Sequence, residues 1–205
     1  MMRRFRHYPQ IGGAKALPYD AEVDYLISNG QQYIDLGIVG KSDYDIEAEI
    51  GFARYETMFA FGSRYTRQKS ALNFLSLTDS RRFDFGTEQW LIIDTDTGVL
   101  KRFTYNHSTR RFEYGDRTGV VSKSTFSNAY NMVLFGNNDR GTIARSNGVM
   151  IGRFNITDGE KTIDLISVRK GGKGYMYDRV TGKLYGNAVT GDGFPNECIG
   201  PDKIG

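Results

Sequence analysis

Three acids at alternate positions, Asp45-Ile-Glu-Ala-Glu49, have the spacing in this chain best suited to catalysis. On a strand, alternation places Asp45, Glu47 and Glu49 on one face, about 6–7 Å apart per step. A retaining glycosidase sets its acid and nucleophile roughly 5–5.5 Å apart and raises one carboxyl by burial. No tryptophan flanks these acids, since Trp90 is the only one in the chain. A solvated strand face explains the same spacing, so we assign no catalytic residue and expect no enzyme.

The other reactive groups are sparse. The two histidines are His7, near the N-terminus, and His107, beside a turn-like Asn-His-Ser-Thr. With Cys198 they would have to supply any triad or zinc site, and no spacing among them matches one. Cys198 is the only cysteine, which excludes an internal disulfide. Gly171-Gly-Lys-Gly174 is glycine-rich and basic but lacks the strand–loop–helix setting of a phosphate loop. We expect no metal and no cofactor.

Binding is the better use of these residue types. A sugar site pairs an aromatic platform with amide and carboxylate hydrogen bonds, commonly from loops at a sandwich edge. Asn137-Asn-Asp-Arg-Gly141 is the most polar loop candidate, with Arg64-Tyr-Thr-Arg67 as a second. Tyr65, Trp90, Asn137, Asn138 and Asp139 are the carbohydrate-binding candidates. Asp139 alone names no calcium site, because no set of oxygen ligands joins it.

The elements that must position these residues read as strands. Period-two alternation recurs at 43–50, 57–62, 71–77, 81–85, 89–94, 100–105, 111–114, 130–135, 149–156 and 162–168, punctuated by glycines. Val23, Tyr25 and Ile27 share one face in this reading, and no segment reads as a helix. Turn signals every 8–12 residues predict an all-β, two-sheet sandwich. Two echoes stand out: Arg81-Arg-Phe-Asp-Phe-Gly86 returns as Arg110-Arg-Phe-Glu-Tyr-Gly115, and Met58-Phe-Ala-Phe-Gly62 as Met132-Val-Leu-Phe-Gly136. Two copies without a fixed period do not make a solenoid. Neighbouring strands of one sheet solving one packing problem account for them.

The whole chain carries +3 and Arg3, Arg4 and Arg6 carry that amount, so the remainder is neutral. A neutral body lacks the phosphate-neutralising patch that nucleic-acid binding depends on. No apolar run approaches the roughly 18 residues of a membrane span. The basic N-terminus has no apolar stretch after it and does not read as a signal peptide, which argues against ordinary secretion. Residues 1–18 read as an extended arm before a sandwich at 19–205. In this arm Arg3, Arg4 and Arg6 would meet carboxylates while Phe5 and Tyr8 fill pockets.

Two segments carry a family resemblance. Ala21-Glu-Val-Asp-Tyr-Leu-Ile-Ser-Asn-Gly-Gln-Gln-Tyr-Ile-Asp-Leu-Gly-Ile38 opens the domain, and Val168-Arg-Lys-Gly-Gly-Lys-Gly-Tyr-Met-Tyr-Asp-Arg-Val-Thr-Gly-Lys-Leu-Tyr-Gly-Asn187 followed by Thr190-Gly-Asp-Gly193 closes it. Together they resemble the signatures of concanavalin A-like (LamG-like) jelly-roll domains from gut Bacteroidetes proteins and the phages that infect them. The resemblance implies a jelly roll with shallow sugar sites. Laminarinase-type enzymes of that fold carry Glu-x-Asp-x-Glu on one strand, and the order here is Asp-Glu-Glu. The expectation is a non-enzymatic virion protein, a capsid decoration or fibre component, that binds glycans or neighbouring subunits and joins a larger, oligomeric assembly. A glycan-binding module of a bacterial surface protein is the alternative, and a glycoside hydrolase the remaining one.

Overall fold

A computed structural model of the chain describes residues 17–65 and 70–204. The arm residues Arg3, Arg4, Phe5, Arg6 and Tyr8 lie outside the described residues, as do His7 and Arg67.

The first strands are β1 (Ala21–Glu22), β2 (Leu26–Asn29), β3 (Ile34–Lys41), β4 (Asp45–Phe52), β5 (Met58–Arg64) and β6 (Ala71–Ser76). Next come β7 (Arg81–Gly86), β8 (Glu88–Ile92), β9 (Lys101–Asn106), β10 (Arg111–Tyr114), β11 (Arg117–Val120) and β12 (Ser127–Leu134). The last are β13 (Gly136–Asp139), β14 (Thr142–Arg145), β15 (Asn147–Thr157), β16 (Thr162–Lys170), β17 (Lys173–Asp178) and β18 (Leu184–Tyr185). Among the described residues the only helical turn is a 3-10 turn at Asn196–Cys198.

Two sheets pack face to face as an all-β jelly-roll sandwich. One runs β11-β10-β9-β4-β15-β16-β17-β18, with β2 on β15 and β1 on β16. The other runs β14-β13-β5-β6-β7-β8, with β12 joining both β5 and β3. Pairing is antiparallel except between β13 and β5. That exception begins at Phe135, whose backbone takes the left-handed region at φ 61° and turns the chain from β12 into β13.

Strand patterning places the core. In β4 Ile46, Ala48 and Ile50 point inward, while Asp45, Glu47 and Glu49 face solvent. Between the sheets phenylalanines interlock: Phe74 of β6 stands 4.6 Å from Phe103 of β9, and Phe61 of β5 stands 5.3 Å from Phe154 of β15. The first echo reads differently here. β7 and β10 lie in opposite sheets, and their matching Phe83 and Phe112 meet across the core at 5.2 Å. They are two halves of one contact, whereas β5 and β12 are neighbours in one sheet, with Leu134 opposite Phe61.

The expected phase at the front also shifts. Val23, Leu26 and Ser28 are the buried residues, not Tyr25 and Ile27, because the chain bends between β1 on β16 and β2 on β15. The two signature segments pack together. Ala188 N donates to Tyr33 O at 2.8 Å, and a Cβ at Gly174 would fall 2.5 Å from Leu26 Cδ2. Asp178 is fully buried and organises its hairpin, accepting from Asp164 N and Val180 N at 3.1 Å and from Thr181 Oγ1 at 2.6 Å. The C-terminal segment returns to the start, with Asp202 bridging to Val23 and Ile199 to Leu26.

One cation is sealed into the core. Arg81 is fully buried, stacks over Phe52 at 4.8 Å, and donates to Ser76 Oγ at 2.8 Å and Asp96 O at 2.6 Å. Asp94 lies 3.7 Å from its Nε and also holds Lys101 at 2.6 Å. Replacing Arg81 by methionine should cost about 3 kcal/mol or more, since several buried acceptors lose their donor at once. Arg81→Lys should recover only part, because an ammonium cannot reproduce the planar fork. The denaturant midpoint of each variant measures both effects.

Candidate functional site

The polar residues that the strands gather lie on the face of the β14-to-β8 sheet turned away from the core. Leu72 and Phe74 of β6 enter the core, so Asn73 points outward; Phe83 and Phe85 of β7 do likewise, so Arg82 and Asp84 point outward. Gly62, Asn73, Asp84 and Gln89 stand in register across β5, β6, β7 and β8. Asn138 registers with Ser63, which sets Asn137 of β13 beside Gly62. Gly62 is the gap in this row: a Cβ there would fall 2.1 Å from Asn73 Oδ1.

The row is flanked by ion pairs. Arg64 holds Asp139 at 2.8 Å, and Arg82 meets Asp84 with Nε 2.7 Å from Oδ1. Arg64 keeps the Asp139 carboxyl below the usual carboxylate range, chiefly through that hydrogen bond. Burial pushes the Asp84 carboxyl up, against the opposing charge of Arg82. Asn73 and Asn137 are both fully buried; Asn73 lies against Asp84 and helps to hold its carboxyl down, while neither end of the Asn137 amide has a hydrogen-bond partner among the described residues.

The sequence candidates separate on this sheet. Residues 137–139 belong to strand β13 rather than to a loop. Asn137 and Asp139 face outward with Arg64. Asn138 alternates to the other side and is spent on the hairpin, donating to Asn131 O at 3.1 Å and accepting from Gly141 N at 2.8 Å. Tyr65 is exposed just beyond β5 and stacks on Tyr130 at 6.3 Å. Trp90 does not join them. It sits on β8, beyond β5, β6 and β7, with its ring on the core-facing side, edge-on to Phe112 at 5.9 Å. Its Nε1 donates to Glu88 at 3.0 Å. Asn73, Arg82 and Asp84 escaped the sequence reading, although they are the polar members of otherwise apolar strands, which was the signal available.

The acidic strand face is occupied by ordinary surface pairs. Glu47 accepts from Arg102 Nε at 3.1 Å, and Asp45 bonds both the backbone N and Nδ1 of His107. Among the described residues no three His, Cys, Asp or Glu side chains converge as metal ligands. Asp139 is engaged by Arg64 and Arg140. Cys198 is buried, and burial together with Glu197 raises its thiol to about 11.

Two measurements follow from this geometry. Gly62→Ala should lower stability by about 2 kcal/mol, as overpacking commonly does, and Asn73→Ala in the same chain should restore part of the loss; a thermal double-mutant cycle reads the coupling. Cys198 should react with iodoacetamide at pH 8 at least about 100-fold more slowly in the folded protein than in urea, because the thiolate is the nucleophile. The thiol's raised value means the folded state holds its proton more tightly. Its contribution to stability is therefore present below the ordinary thiol value and is lost as pH rises toward about 11.

No protein-family model matches the chain, and no curated protein matches it.

Proposed function

We propose that the domain is a non-enzymatic, glycan-binding jelly roll of concanavalin A-like type, carried on a phage virion as a capsid decoration or fibre component. The observation that supports binding is the accessible cluster at the end of the row, where exposed Tyr65 stacks on Tyr130 beside the Arg64–Asp139 ion pair. Sugar hydroxyls each donate and accept, so they match the carboxylate of Asp139 and the guanidinium of Arg64 together. The tyrosine pair supplies an aromatic surface for a sugar ring.

The virion setting rests on the resemblance of the two signature segments and on the basic arm. Arg3, Arg4, Phe5, Arg6 and Tyr8 anchor the protein to neighbouring virion proteins in this reading, and the sandwich projects. Deleting residues 1–15 should leave the domain folded but unable to join its assembly; normal incorporation would reduce the arm to a tail. Capsid, portal or tail genes beside this one support the virion, whereas polysaccharide-utilisation genes support a bacterial surface protein.

A single shallow site of this kind binds at millimolar to micromolar levels, roughly 4–8 kcal/mol, and becomes effective through many copies. A glycan array probed with a multimerised protein should show binding to a capsular or plant polysaccharide. Tyr65→Ala with Asp139→Ala should abolish it while the melting transition persists. Silence across the array would leave a purely structural role. Release of reducing ends from β-glucans, lost in Glu47→Gln, would establish the glycosidase instead; we expect none.

A further inference from the structure

A cavity of about 660 Å³ opens at the end of the sandwich where β3 finishes and β9 turns into β10. It is separate from the outward polar row and shares no residue with it. Its inner wall is aromatic: Phe85 stands 5.0 Å from Tyr105 and 5.1 Å from Phe126, and Phe126 is only half-buried. Its rim is charged, with Lys41, Arg110 and Lys123 on it and Asp43 the one acid in the lining among the described residues. Lys41 is taken by Asp158 at 2.7 Å and Asp43 at 3.5 Å, and His107 by Asp45 at 2.9 Å. Arg110 and Lys123 line the same cavity and make no ion pair among the described residues.

Arg110 is held there against its backbone preference. It sits at φ 59°, a left-handed conformation that glycine adopts freely and residues with a Cβ do not. The next hairpin turn, between β10 and β11, uses Gly115 for the same conformation at φ 58°. Arg140 is a second left-handed arginine, but its Nε pairs with Asp139 at 3.3 Å. Arg110 has no such partner among the described residues, and its charge acts on Tyr105 at the cavity wall. Strain retained at an unpaired, cavity-lining cation points to use of the side chain.

The segment carrying Lys123 is fixed at both ends. Val121 N donates to Arg110 O at 3.0 Å, Ser122 N to Glu88 at 3.0 Å, and Phe126 N to Ser42 Oγ at 3.1 Å. Between these anchors Ser124 and Thr125 add hydroxyls to the lining. The site is therefore preformed, with two cations that are unpaired among the described residues, hydroxyl donors and one half-buried aromatic ring.

We propose that this cavity binds the acidic residue of an anionic polysaccharide, a uronate or a sulfated sugar, with Arg110 and Lys123 on the charge and Phe126 under the ring. The choice of a sugar rests on the glycan-binding reading above; the choice of an anion rests on the cavity alone. Guanidinium suits both carboxylate and sulfate through paired N–H donors.

Titration calorimetry with trigalacturonate, a sulfated trisaccharide and neutral maltotriose tests it, the first two arms separating carboxylate from sulfate. At least one acidic oligosaccharide should bind and maltotriose should not. Arg110→Gly should keep or raise the melting temperature, because it relieves the left-handed strain, and weaken acidic binding at least tenfold. Lys123→Ala should weaken it similarly, while Lys170→Ala, an exposed cation elsewhere, should leave it unchanged. Equal weakening by Lys170→Ala would reveal general charge attraction and overturn the assignment, as would binding untouched by Arg110→Gly. Array binding that depends on Tyr65 and Asp139 without acidic-sugar binding here would sink this site and keep the other. Acidic-sugar binding with a silent outward row would do the reverse.

Discussion

The spacing of the two sheets depends on one seam of phenylalanine rings. Phe61, Phe74 and Phe83 from one sheet interlock with Phe103, Phe112 and Phe154 from the other, at centroid separations of 4.6 to 5.5 Å. Rings of this size bury large apolar areas and prefer tilted or edge-on contact, so they fix distance and angle together. Each inward ring commits its strand neighbours to the opposite face. Asn73 lies outward because Leu72 and Phe74 lie inward, and Arg82 and Asp84 lie outward because Phe83 lies inward. The polar row is the reverse side of the aromatic seam.

The same seam leaves an opening where it ends. Phe85, Tyr105 and Phe126 are its terminal rings, and past them the sheets are no longer filled by side chains from both sides. At another margin of the core Arg81 closes the gap, its guanidinium stacked on Phe52 and its two terminal nitrogens donating to Ser76 and Asp96. The echoed arginines thus have contrasting fates. Arg81, at the head of β7, is fully buried against Asp94, whereas Arg110, before β10, has no ion-pair partner among the described residues and stands beside a cavity. Similar sequence produced closure in one place and an opening in the other, and the difference lies in which neighbours supply acceptors.

Much of the fold was legible in the sequence because period-two alternation is a direct record of sheet faces. The acidic strand at 45–49, the strands at 71–77, 81–85 and 111–114 and the closing hairpin appear where the pattern puts them. The site was less legible. Asn137-Asn-Asp reads as a loop because Asn and Asp favour turns, yet Phe135 in a left-handed conformation turns these residues into a strand paired with β5. That local reversal also decides that Asn137 and Asp139 share a face while Asn138 does not. Trp90 looked like a platform by residue type alone, and only sheet order separates it from Asp139. The bend between β1 and β2 shifted the front alternation by one residue, which no local signal announces.

The return of the C-terminal segment to the first strands has a kinetic side. Val23 bridges to Asp202 and Leu26 to Ile199, and Lys203 N donates to Glu22 O. These are among the longest loop closures the chain can make, and such closures come late because their entropy must be met before the contacts reward it. During synthesis β1 and β2 therefore wait for residues 199–203 to emerge before their pairing is complete. The opening signature is the first part of the domain to be made and the last to be locked. Once locked, the two ends of the sandwich lie side by side, a geometry that lets such a domain be grafted into another chain or cut and rejoined without disturbing its core.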